Sequence, residues 1–369
     1  MELIISGLGV SSMLLSRALV ERKAFDRLTL VGRRAPHAAH VFSYWADRPT
    51  PFDAAVEMSW NRLQVVDALG VIPVELGRFT YRTFHPSRWL AKLTDEVLAH
   101  PGVRWIDGEV QSAETEHDRA RVRLAASGEV LSADWAFVSG QLGAVRPARW
   151  QYFTGIEVEL KEPVLDVEVA TLLDFRTPAP GDFRFVYALP FSPTRLFVEH
   201  VSHLPSDHDA ALARWLELVL GVPSWRVVEK ESGATPLFAT PPKEDGRVRH
   251  IGVAAGMARP CTGYALMRMW RDSEAQAESL HRWGHPRTRG RGRFLSRTAD
   301  AYFLDRLAHA PDELPKLMRE LFSKANGDAV LGFLDDRATL EEKRAVASAM
   351  PGWLRWWSSA RGFRGMSSP

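Results

Sequence analysis

Leu3-Ile4-Ile5-Ser6-Gly7-Leu8-Gly9-Val10-Ser11-Ser12-Met13-Leu14-Leu15 joins a short apolar run, a glycine turn and the start of a helical repeat. Met13, Leu14, Leu15, Ala18 and Leu19 supply the apolar face of that helix, and a second apolar run follows at Leu28-Thr29-Leu30-Val31. Strand, glycine turn, helix and strand in this order open a dinucleotide-binding βαβ unit. Glycine suits the turn because the missing Cβ lets backbone N–H groups at the helix start approach a pyrophosphate. Gly7, Gly9, Ser11 and Ser12 are therefore candidate cofactor contacts. Two positions depart from the G-x-G-x-x-G fingerprint. Ser12 stands at the third glycine, and Gly32-Arg33-Arg34 stands where an acidic residue would hold a ribose. Arg33 and Arg34 are either contacts to a phosphorylated ribose or solvated loop charges.

Outward from this unit, Arg88 to His100 carries Leu90, Leu93, Val97 and Leu98 on one helical face, and short strands follow at Val103–Ile106, 120–124 and 133–138. Phe185-Val186-Tyr187-Ala188-Leu189-Pro190 and Arg195-Leu196-Phe197-Val198-Glu199-His200-Val201 flank a Ser192-Pro193-Thr194 turn and predict a hairpin. The 369 residues are 46% hydrophobic and 25% charged, ample for a sizeable core and for two or three structural units. With Lys+Arg 47 against Asp+Glu 45, the net charge of +2 gives no reason to expect a nucleic-acid partner. Cys261 is the only cysteine, which excludes an intrachain disulfide and a thiolate metal cluster and points to a reducing cytoplasm. No signal peptide or spanning segment is expected. The Trp353-Leu354-Arg355-Trp356-Trp357 stretch, with Arg361 and Arg364 beyond it, reads either as a peripheral membrane contact or as a helix end packing its indoles on the body. Arg282, Arg287, Arg289, Arg291, Arg293 and Arg297 read as a solvated basic run.

RFVYALPFSPTRLFVEHV, residues 184–201, resembles the lycopene cyclase family. So do Gln151-Tyr152-Phe153-Thr154-Gly155-Ile156-Glu157, the Leu173-Asp174 pair and Gly256-Met257-Ala258-Arg259-Pro260-Cys261-Thr262-Gly263-Tyr264. The resemblance implies an α/β fold of the glutathione-reductase and hydroxybenzoate-hydroxylase type. On that reading a Rossmann-like flavin-binding domain spans 1–145 and resumes over 241–290, a β-rich substrate domain spans 146–240, and a helical region spans 291–369. It also implies FAD, reduced and acting without net redox change, and an apolar linear isoprenoid that is closed into a ring. Gly256, Thr262, Gly263 and Tyr264 join the candidate cofactor contacts. The family's acidic pair followed by Thr becomes Glu199-His200-Val201 here, which keeps the first acid and puts the usual substrate in doubt.

Ring closure by alkene protonation needs an acid kept protonated, a dry pocket and electron-rich walls that steady a carbocation. Glu199, in an apolar strand, is the candidate acid; Asp174 beside Arg176 is a second acid or base, or else an ordinary surface pair. His200 is expected on the opposite strand face. Phe153, Phe185, Tyr187 and Phe197 are candidate pocket walls, or core aromatics. Glu199, His200, His203 and His208 fall at spacings that do not suit a metal, so none is expected. A flavin monooxygenase and a non-catalytic binder of apolar ligands are the alternative functions on this frame.

Overall fold

The computed structural model describes the chain outside residues 35–40, 141–145, 222–223, 241–243, 245, 289–293 and 358–369. Arg289, Arg291, Arg293, Arg361 and Arg364 of the sequence reading lie outside these described residues, as do the side chains of Trp356 and Trp357.

The opening βαβ unit forms as its pattern predicts. Strand Glu2–Ser6 runs through the glycine turn into helix Val10–Arg22 and on to strand Arg27–Val31. Parallel pairing extends this into a five-stranded sheet ordered Val248–His250, Trp135–Val138, Glu2–Ser6, Arg27–Val31 and Val103–Ile106. Helices Pro86–Leu98 and Leu266–Trp283 pack on helix Val10–Arg22, burying Leu15, Leu19, Leu90, Ala277 and Leu280 together. Ser12, where the fingerprint has its third glycine, is buried, and its hydroxyl donates to the Ser6 carbonyl at 2.9 Å. A small polar residue thus meets the close packing that the position demands.

A seven-stranded sheet forms the second layer, in the order Trp225–Leu237, Arg149–Leu160, Arg195–Ser202, Phe185–Ser192, Val169–Asp174, Arg62–Asp67 and Gly70–Glu75. The hairpin read in the sequence is present, with Tyr187 opposite Glu199 and Ala188 opposite Val198. Arg62–Asp67 and Gly70–Glu75 lie within the 1–145 span, so the β-rich layer draws on two stretches of chain. Alternation gives this sheet two buried faces. Val186, Ala188, Leu196 and Val198 pack under helix His208–Trp215. The other face carries Tyr187, Leu189 and Phe197 into a core shared with Tyr302, Phe303, Leu321, Phe322 and Phe333 of the C-terminal helices. A three-stranded sheet of Phe42–Ala46, Thr80–Phe84 and Met58–Trp60 closes that core from the side with Trp45, Trp60 and Tyr81. Trp353 is buried there, its ring edge-to-face with Phe333 at 5.8 Å, so this indole packs on the body. Among the described residues no helix is long and apolar enough to cross a membrane.

Candidate active site

Between the seven-stranded sheet and the C-terminal helices lies a cavity of about 350 Å³, within the usual size range of small-molecule sites. Phe153, Phe185, Tyr187, Trp45 and Tyr302 are among its aromatic walls, and Leu317, Met318, Leu321 and Phe322 roof it from the helices. Its few polar groups include Glu199, Glu231, Gln151 and His203.

Strand register explains how two carboxylates meet in this apolar space. Gly155 faces Glu199 on one neighbouring strand and Glu231 on the other, so all three positions point to the same side of the sheet. Because residue 155 has no side chain, the two acids bend toward each other across it and interact as hydrogen-bonded partners. Burial pushes the Glu199 carboxyl well above the ordinary carboxylate range, and the charge and hydrogen bond of Glu231 push it further. Glu231 also accepts a hydrogen bond from the Val41 backbone at 2.7 Å, which fixes one of its oxygens. The site is therefore a carboxyl pair in which the protonated state of Glu199 is favoured by both dryness and a neighbouring acid.

Beside the pair runs a chain of hydroxyls. Thr83 donates to the Phe42 carbonyl, Ser43 donates to Thr83, and Tyr187 donates to Ser43. Each hydroxyl has one proton, so Tyr81 must donate to Tyr187 at 2.7 Å and Tyr264 to Tyr81 at 2.5 Å. Tyr264 ends the chain at the cavity wall. Burial raises all three phenols well above their ordinary values and keeps them neutral. The ring of Tyr264 also stands edge-to-face on Trp45 at 5.0 Å.

The structure places most of the sequence candidates and moves three of them. Glu199, Phe153, Phe185 and Tyr187 line the cavity. Phe197 does not; its ring lies over Gly155, packed edge-to-face with Tyr187 at 6.3 Å, as core filling. Asp174 is fully buried but belongs to the opposite face, opposite Val186 in register, where Arg176 at 2.6 Å and the Trp215 indole N–H at 2.9 Å satisfy it. That placement makes Asp174 an anchor of helix His208–Trp215. His200 lies on that same far face as alternation predicts, its ring against His208, and is pushed down to about 3, chiefly by burial. Tyr264, read as a cofactor contact, brings its phenol into the substrate-side hydroxyl chain.

Glu231 was not among the sequence candidates. Its signal is the alternation Glu229, Glu231, Gly233, matched on the next strand by Glu157, Gly155, Phe153, which only the register reveals.

A dinucleotide cradle survives at the head of the parallel sheet. Gly7 has φ +87°, and a Cβ there would lie 2.3 Å from Ser139 Oγ, so only glycine serves. Gly9 caps helix Val10–Arg22 with extended backbone, no side-chain cap and no acid in the first turn, which leaves the amide end open to an anion. Gly252 crosses so close that a Cβ would lie 2.5 Å from Ser11 Oγ, and Gly256 ends the same turn with φ +71°. Thr262, Gly263, Ala265 and Leu266, at the start of helix Leu266–Trp283, border the cavity itself. On the ribose side the fit is poorer. No carboxylate stands at Gly32, whose added Cβ would lie 2.9 Å from Leu8, and Arg33 and Arg34 pair with Glu109 and Asp95. The described residues thus suit a pyrophosphate-bearing cofactor, and among them none supplies an acidic ribose anchor at the end of strand Arg27–Val31.

The lycopene cyclase protein family model matches residues 2–355. The chain belongs to the lycopene cyclase family. It is 25% identical over 292 residues to the lycopene beta-cyclase of Paracoccus sp., covering 72% of this chain and 70% of that one. It is 26% identical over 295 residues to the lycopene beta-cyclase of Pseudescherichia vulneris, with the same coverage. Among solved structures, a geranylgeranyl bacteriochlorophyll reductase-like protein of Thermoplasma acidophilum has a TM-score of 0.69 at 11% identity, over 96% of this chain and 98% of that one. A flavin-dependent brominase has a TM-score of 0.67 at 13% identity, over 96% and 99%. These likenesses give the fold, which is the α/β frame read in the sequence. Within the family's frame, the cyclase-like hairpin and the Thr262-Gly263-Tyr264 turn border one cavity in this chain.

Proposed function

We propose that this member of the lycopene cyclase family closes a ring at the end of a linear isoprenoid by protonation, without net oxidation or reduction. The observation that carries the reading is the Glu199–Glu231 carboxyl pair, with Glu199 held protonated chiefly by burial, inside an aromatic and aliphatic cavity. Glu199 gives its proton to a terminal alkene carbon, and the adjacent carbon becomes a tertiary cation. A neighbouring alkene supplies the electron pair for the new carbon–carbon bond, moving the positive charge to a ring carbon. Loss of an adjacent proton to the carboxylate left on the pair forms the ring alkene and restores the acid. Substrate and product are isomers.

Trp45, Phe153, Phe185 and Tyr187 present π faces to the cationic stage, each contributing about 0.5–2 kcal/mol where the geometry is favourable. Neutral phenols and an apolar roof keep out water that would capture the cation. Gly7, Gly9, Ser11, Ser12 and Gly256 would hold the FAD that the family resemblance implies, with Thr262 and Gly263 toward the cavity. When bound in reduced form, that group would supply electron density to the cationic stage without net redox change.

The test is anaerobic incubation of the FAD-loaded, reduced protein with linear polyenes and shorter polyprenyl chains in D₂O. A cyclic product of unchanged composition carrying deuterium from solvent supports the reading, and its substrate names the chain length. Oxygenated products formed with O₂ consumption, or full activity in Glu199→Gln, would overturn it.

A further inference from the structure

On the same sheet face as the carboxyl pair, two residues further along, lies a second cluster that the reaction above does not use. His85, at the N-terminal end of helix Pro86–Leu98, approaches Glu157 and Glu229, which are direct cross-strand partners. One ligand-capable atom from each of the three lies within 4.8 Å of the other two. His85 Nε2 is 3.5 Å from Glu157 Oε2 and 3.9 Å from a Glu229 carboxylate oxygen.

Three features give this cluster a purpose. Glu57 Oε1 accepts from the His85 backbone N–H at 3.0 Å and lies 2.9 Å from Nδ1, so Nδ1 is engaged by Glu57 and Nε2 is the ring nitrogen that faces the two acids. Glu157 is only 2% exposed, with Oε1 held by the Arg195 guanidinium at 2.5 Å and Oε2 without a hydrogen-bond partner. A buried carboxylate oxygen left without a donor is costly. The 3.5 and 3.9 Å separations are also too long for direct hydrogen bonds. They are close to the roughly 3.3 Å expected between donors of a tetrahedral ion with bonds of about 2.0–2.1 Å. Charge points the same way. Glu57, Glu157 and Glu229 against Arg195 place three carboxylates and one guanidinium around the imidazole, and the hydrogen bond to Glu157 with the charges of the same three acids raises the Arg195 guanidinium above its ordinary value against desolvation.

We propose that His85 Nε2, Glu157 Oε2 and Glu229 form a divalent transition-metal site, with Glu57 orienting the histidine and water completing the coordination. One imidazole with two carboxylates suits zinc or manganese, whereas magnesium and calcium favour all-oxygen sets. Glu229 is half exposed and leaves an entry path. The inference stands apart from the cyclase reading, because its test measures no turnover.

Untagged, full-length protein is dialysed against chelator and titrated calorimetrically with ZnCl₂, MnCl₂ and MgCl₂, with thermal unfolding followed in parallel. Zinc is expected to bind at one equivalent and raise Tm with concentration. Glu57→Gln is expected to weaken zinc by about 10–100-fold, as loss of a ligand-orienting carboxylate does. Glu229→Gln, at an exposed position that does not endanger folding, is expected to weaken it by at least about as much. Absence of saturable one-to-one binding overturns the proposal. So does zinc affinity unchanged in folded Glu229→Gln and Glu57→Gln, which would assign the metal to adventitious surface groups.

Discussion

Gly155→Ala isolates the geometry on which the carboxyl pair depends. A methyl group at this position would lie 2.6 and 2.8 Å from Phe197 Cζ and Cε2 and 3.0 Å from Glu231 Cγ. Carbon contacts settle at about 3.5–4.0 Å, so the ring must retreat by roughly 1 Å and the Glu231 stem by roughly half of that. Overpacking of this kind costs about 1–3 kcal/mol, offset by about 0.5–1 kcal/mol from the backbone freedom that glycine loses on folding. The expected net loss is about 0–2.5 kcal/mol, read by urea unfolding. Displacing one acid by a fraction of an ångström to an ångström is expected to lower turnover by up to about 100-fold. Phe197→Leu in the same chain removes the ring that clashes, so the two substitutions should couple by about 0.5–3 kcal/mol in a double-mutant cycle. Stability effects that simply add, or wild-type turnover in Gly155→Ala, would refute the reasoning.

The remaining predictions concern buried polar groups. Glu199→Gln should lower turnover by about 10²–10⁴-fold. The Glu199 carboxyl is raised in the folded protein by burial and then by Glu231, so the native state holds a proton that the unfolded chain releases. Wild-type stability therefore falls as pH rises from about 4.5 through the folded value, and Glu199→Gln escapes that loss. The Tm difference between the two should grow with pH; a difference constant from pH 5 to 9 would contradict the assignment. Cys261 is pushed up to about 12, chiefly by burial, so at pH 8 its alkylation should run roughly 10³-fold slower in the native protein than in denaturant. Mass spectrometry after timed iodoacetamide exposure checks this, and equal rates would show the thiol to be ionised in the fold. Arg259, 1% exposed, donates to the Phe333 and Leu334 carbonyls at 2.7 Å and pairs with Asp300 at 3.1 Å. Arg259→Met should cost about 3–5 kcal/mol in denaturant unfolding, since it leaves buried partners unpaired.

Local physics wrote much of this molecule plainly. The glycine turn at Gly7–Gly9 and the helical repeat of Met13 to Leu19 carry their own signals, because a turn and one apolar face are decided within a few residues. Glu199 was legible for the same reason, as a lone acid in an apolar strand, and so was the far-face position of His200. Glu231 was not. It lies in Val227-Val228-Glu229-Lys230-Glu231-Ser232, where charge on successive residues hides which face is buried. Its meeting with Glu199 depends on both strands flanking Gly155, a register set by tertiary packing. Asp174 misled because a neighbouring Arg suggests a surface pair, while burial and the Trp215 indole make it an internal tie. Phe197 misled because a glycine on the adjacent strand, not the cavity, receives its ring.

The helices that roof the cavity bear on more than shape. Tyr302, Phe303, Leu317, Leu321 and Phe322 are all made well after Glu199 on the nascent chain, and they supply part of the dryness that favours its protonated form. Without them that carboxyl loses part of the burial that holds it protonated and ionises more readily. The protonated state of Glu199 is thus a property of the closed cavity and not of its strand alone, and a chain without that roof carries the right residue in the wrong environment.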